Sequence, residues 1–136
     1  MRSSRSFPAE LGSVSAARHF ARATLKDLPG ATVDAVELMV SELATNSVKH
    51  ADSAFNLVID REATHVRVEV SDSGAGEPTA RDPPPSEPTG RGLRIVDLMS
   101  DKWGVRRSPQ SKTVWFLLQT DSTGERGTAS DEAMRA

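Results

Sequence analysis

The chain has 136 residues, a formal charge of −2, no cysteine, no tyrosine, two Trp and four Phe. That length suits one hydrophobic core rather than two, and the lack of cysteine excludes disulfides, thiolate catalysis and Cys-ligated zinc. No apolar run approaches the ~18–20 residues needed to cross a bilayer, no hydrophobic stretch follows Met1-Arg2-Ser3-Ser4-Arg5 as in a signal peptide, and the mild basic excess near the start is too diffuse for a nucleic-acid footprint. A cytoplasmic protein without membrane or nucleic-acid partners is expected.

Arg5-Ser6-Phe7-Pro8 reads as a short edge strand, because the proline cannot donate to a ladder. Ser13 is the expected N-cap of a helix running to about Leu28, with Val14, Ala17, Ala21, Leu25 and Leu28 on one face. Pro29-Gly30 stops it. Thr32 is the expected cap of a second helix, with Asp34 in its first turn. This helix buries Val36, Met39, Val40, Leu43 and Ser47 and runs to about His50.

Two segments with period-2 alternation follow. Phe55, Leu57 and Ile59 mark the first, and Val66, Val68 and Val70 the second; the short Arg61-Glu62-Ala63-Thr64 link makes them an antiparallel hairpin. Residues 73–90 are rich in proline and glycine and read as a loop of the length often used as a lid. A short helix spans about Gly92 to Met99. Strands around Lys102–Arg106 and Lys112–Gln119 join through Ser108-Pro109-Gln110-Ser111. Residues 1–120 form the domain, and 121–136 lack apolar periodicity and read as a disordered tail. The fold class is α+β: a two-layer α/β sandwich with helices on one face of a mixed, mostly antiparallel sheet.

Three short patterns carry the chemistry. On the second helix Glu42, Asn46 and His50 recur every four residues and form one polar stripe. A solvated face is the ordinary explanation of such a stripe. An Asn amide oxygen can also complete the shell of a Mg2+ ion that otherwise takes waters and phosphate oxygens, and Glu42, one turn away, can act as a general base. Asp72 ends a strand before Gly74 and Gly76. A turn needs nothing more, yet the carboxylate can also accept a hydrogen bond from a purine amine while the glycines let the backbone approach the base. Gly90 and Gly92 flank Arg91 just before Leu93; a glycine turn at a helix start offers backbone N–H groups to phosphate oxygens. Thr113, heading the last strand, has a hydroxyl able to support Asp72, although a β-branched residue needs no function in a strand. Trp103 and Trp115 are read as packing residues.

In these motifs the sequence resembles the GHKL (Bergerat-fold) ATPase superfamily, whose ATP-binding domain is histidine-kinase-like, over roughly residues 5–120. It looks most like the bacterial branch of serine-protein kinases that act as anti-sigma factors. Glu42, Asn46 and His50-Ala51 match the N-box. Asp72, Gly74 and Gly76 match the first glycine box, and Gly90, Arg91, Gly92 and Leu93 the second. Lys112-Thr113-Val114-Trp115-Phe116 resembles the terminal strand. The resemblance implies ATP and Mg2+ as cofactors, Asn46 as metal ligand, Glu42 as general base and Asp72 as the reader of the adenine amine. It further implies that Gly74 and Gly76 line the base pocket, that Gly90 and Gly92 wrap the phosphates, and that Thr113 assists Asp72. The implied reaction moves the γ-phosphoryl of ATP to a serine or threonine of an anti-sigma-factor antagonist (STAS-type) protein. A sigma factor is a second implied partner, and a homodimer the implied assembly. The alternative is an ATP-binding interaction module that transfers nothing, favoured by the short, proline-rich Pro83-Pro84-Pro85-Ser86-Glu87-Pro88 lid.

Overall fold

The computed structural model describes residues 1–73 and 88–120, with the side chains of 88–92 left aside. The elements in chain order are β1 (Arg2–Phe7), α1 (Gly12–Thr24), α2 (Gly30–Thr45) continued by a π-helical segment (Asn46–Ala51), β2 (Phe55–Arg61), β3 (His65–Asp72), α3 (Pro88–Met99), β4 (Lys102–Ser108) and β5 (Ser111–Gln119). The five strands form one sheet in the order β1-β2-β3-β5-β4, and every pairing is antiparallel. The expected α+β sandwich is therefore present, with an antiparallel rather than mixed sheet among the described residues. The expected lid and tail lie largely outside them, since residues 74–87 and 121–136 are not described.

Alternation decides which face of the sheet is covered. Leu57 and Ile59 of β2, Val66, Val68 and Val70 of β3, and Val114 and Phe116 of β5 are buried together with Ala17, Ala21 and Leu25 from the α1 region, Val36, Met39, Val40 and Leu43 of α2, and Val96 of α3. β1 is an edge strand, as its proline exit requires. Its Phe7 stacks on Phe55 at 5.1 Å and meets Phe20 edge-on at 6.3 Å, pinning the edge to α1.

Both helix caps differ from expectation. Leu11, not Ser13, precedes α1, and no side chain caps it. Ser13 is buried and donates its amide to the Glu10 carbonyl at 2.9 Å, so a backbone turn does the work of a capping hydroxyl. α2 begins at Gly30, where the Pro29 carbonyl accepts the amides of Thr32 (2.9 Å) and Val33 (3.1 Å), leaving Thr32 no capping role. Asp34 lies beyond the first turn and instead accepts a bond from Arg22 at 3.0 Å. α1 ends at Thr24 rather than Leu28, with Leu25–Leu28 closing as a turn.

The second helix does reach the expected end, but not as one regular helix. After Thr45 it widens into π geometry, whose i→i+5 pattern accommodates about one extra residue per turn. Three consecutive residues, Asn46, Ser47 and Val48, are buried in this segment. Asp52 ends the segment in the left-handed region at φ 52°, and the Ser53 amide turns back to the Ser47 carbonyl at 3.2 Å.

Candidate functional site

A cleft opens where the inner face of β3, β5 and β4 meets the start of the π segment and α3. Its sheet side is built from two cross-strand rows: Val70, Val114 and Val105, then Asp72, Lys112 and Arg107. Leu43, Asn46, Ser47 and Leu93 line the helical side. The first row follows from strand parity, since valines on neighbouring strands meet on the covered face. It makes a flat apolar floor. The second row ends that floor with a carboxylate and two cations.

Asp72 is the most constrained of these groups. It is buried at the last position of β3, and Ser47 Oγ donates to its Oδ2 at 2.7 Å. Ser47 faces inward as the i+4 neighbour of the buried Leu43. The strand end is held by a second tie, because the Ser73 amide donates to Ser53 Oγ at 3.1 Å and Ser53 in turn donates to the Ala54 carbonyl at 2.6 Å. A carboxylate fixed this way beside an apolar floor presents an acceptor to the edge of a flat ring lying on that floor.

The structure sorts the residues expected at the site. Asn46, Asp72 and Leu93 share the cleft. Glu42 is half-buried one turn before Asn46 and does not line it. His50 is exposed and does not line the cleft. Thr113 faces away from Asp72. Its hydroxyl shares a 2.8 Å hydrogen bond with Ser71 Oγ on the uncovered side of the sheet, because Thr113 pairs with Ser71 while Lys112 pairs with Asp72. Gly90, Arg91 and Gly92 fall inside α3, which starts at Pro88 instead of Gly92, so the expected glycine turn forms the helix's opening turns. Gly74 and Gly76 lie outside the described residues.

Sequence reasoning missed the parts played by Ser47, Arg107 and Lys112. A hydroxyl in an otherwise apolar helical stripe was the available signal for Ser47. Nothing in the sequence alone paired Lys112 with Asp72. Among the described residues no group of three or more His, Cys, Asp or Glu could hold a metal ion. No helix of the described residues is long and apolar enough to cross a membrane.

Comparison with known proteins bears on the same residues. No curated protein matches the chain. Among solved structures it is similar to the RsbU and RsbW domains of Rv1364c from Mycobacterium tuberculosis, with a TM-score of 0.69 and 13% identity over 87% of this chain and 32% of that one. The chain thus spans about a third of that structure's length, and the likeness is one of fold. The model of the histidine kinase-like ATPase domain matches residues 7–118, from the end of β1 almost to the end of β5. Since that match covers both rows of the cleft floor and the helices above them, the chain belongs to the histidine kinase-like ATPase domain family.

Proposed function

We propose that the cleft binds the purine of ATP and that the chain is a protein serine/threonine kinase of the anti-sigma-factor type. The observation that carries the nucleotide reading is Asp72, a buried carboxylate clamped by Ser47 at the edge of a valine floor. Its acceptor suits an exocyclic amine, and the Val70, Val114 and Val105 row suits a flat base. Asn46, on the opposite wall, would hold Mg2+ through its amide oxygen, with phosphate oxygens and waters completing the shell. The metal would screen the phosphate charge while the first turn of α3 receives the phosphates.

In this reading Glu42 accepts the proton of an attacking serine or threonine hydroxyl on an anti-sigma-factor antagonist of the STAS type. A sigma factor is then held or released according to the antagonist's phosphorylation, by a homodimer of this chain in the cytoplasm. The second reading is an ATP-binding interaction module that captures a partner without phosphoryl transfer.

Phosphotransfer from ATP-Mg2+ to a candidate antagonist separates the two. The kinase reading expects Glu42→Gln to slow transfer by about a hundredfold or more with ATP affinity retained. Equal transfer by both proteins removes Glu42 as the base, and ATP-dependent partner capture with no transfer by either selects the module. For the metal, Asn46→Ala is expected to weaken Mg2+-dependent ATP binding about tenfold in calorimetry. Affinity that is unchanged, with and without a chelator, would remove Asn46 from the site.

A further inference from the structure

Lys112 is the pocket residue that the nucleotide reading leaves without a task. It pairs with Asp72 across the β3–β5 ladder, so the two Cα atoms are about 4.5–5.5 Å apart. Both side chains fall on the covered face of the sheet, and both line the cleft. Lys112 is half-buried whereas Arg107, one strand further out, is exposed. Of the two cationic residues lining the cleft, Lys112 is the one whose backbone lies next to Asp72.

An ionised carboxylate only accepts hydrogen bonds, and an ammonium only donates. Side by side they match a ring edge carrying a donor next to an acceptor. Adenine offers its amine beside a ring nitrogen. A 6-oxopurine offers N1–H, with the amine too in guanine, beside the C6 carbonyl. Asp72 itself, as a carboxylate, offers the guanine carbonyl no donor, and a buried carbonyl left without one carries a penalty that normally rejects the wrong base. Lys112 removes that penalty.

We propose that Lys112 is a base-reading residue that opens the site to 6-oxopurine nucleotides, so that GTP binds alongside ATP. The inference rests on the nucleotide reading of the cleft. Asp72 takes the C6 amine of adenine while Lys112 donates to N7; a 6-oxopurine shifts by one ring position, so that Asp72 takes N1–H and Lys112 donates to the C6 carbonyl.

Calorimetric titration of the full chain with ATP and with GTP, each with Mg2+, tests it, the variants being read by how far each changes the ATP-to-GTP ratio of the wild type. The wild type is expected to bind the two within about tenfold of each other. Lys112→Met keeps the length of the side chain and removes the ammonium. It is expected to lose at least about tenfold more affinity for GTP than for ATP, the scale of a lost charge-assisted hydrogen bond. Lys112→Gln keeps a neutral donor and is expected to shift the ratio the same way by less, which preserves the test if methionine disturbs the β3–β5 pairing. Wild-type GTP binding more than tenfold weaker than ATP overturns the proposal, as does an ATP-to-GTP ratio that neither variant moves. Failure of the wild type to bind either nucleotide overturns the nucleotide reading itself and this inference with it.

Discussion

Ser47 shows how much one hydroxyl can decide. Its Oγ donates to Asp72 Oδ2 at 2.7 Å from a position that is 1% exposed. A hydrogen bond to a charged group contributes roughly 1.5–3 kcal/mol, and losing it leaves a buried carboxylate short of a donor. Ser47→Ala is expected to cost about 1–3 kcal/mol in urea denaturation and also to weaken nucleotide binding. A variant that loses neither would show that Asp72 is held by other groups. Of the individual residues, Asn46 and Asp72 were legible in the sequence because each sits in a motif with a chemical reason. Lys112 was not, since its meaning comes from a partner on β3, far away in the chain.

Among the elements, β4 and β5 carry a constraint on the uncovered face. Gly104 lies directly under the Trp115 ring, so that a Cβ built there would stand 2.8 Å from the indole nitrogen. The guanidinium of Arg67 covers the same ring at 4.4 Å. Glycine at this position lets the indole lie flat across the strand pair. Gly104→Ala is expected to tilt the ring and destabilise the fold by about 1–3 kcal/mol, the usual cost of overpacking. Trp fluorescence and a shifted denaturation midpoint would register it, and an unchanged midpoint would mean that the ring moves freely. The two hairpins were legible because period-2 alternation marks covered and uncovered faces directly. The helix starts were not, since backbone carbonyls of Glu10 and Pro29 took the roles expected of Ser13 and Thr32. The π segment has no compositional signature at all. Ser47, four residues after the buried Leu43, keeps the inward side of the helix into that segment, while Lys49 and His50 are exposed.

For the molecule as a whole, ion pairs tie the helical layer to itself and to the sheet. Arg22 bridges α1 to Asp34 and Glu37 of α2, and Arg61 of β2 donates to Asp27 at 2.8 Å. Hydrogen bonding from Arg61 holds the Asp27 carboxyl below its ordinary pKa. A lowered folded-state pKa means stability present above the unfolded value of 3.8 and lost as pH falls through the folded one. Asp27→Asn is thus expected to lower the urea midpoint slightly at neutral pH and not at all in strong acid, with salt shrinking the difference, because the pair is exposed. An equal loss at both pH values would point to packing instead. The strand order has a consequence in time. β5 follows β4 in the chain yet inserts between β3 and β4, and it supplies the middle residue of both rows beneath the cleft. During synthesis the earlier elements can gather first, but the floor is incomplete until β5 leaves the ribosome and slots home. Nucleotide capture by a nascent chain would therefore report completed folding, and a chain interrupted before Ser111 would have every helix of the site and nowhere to lay a base.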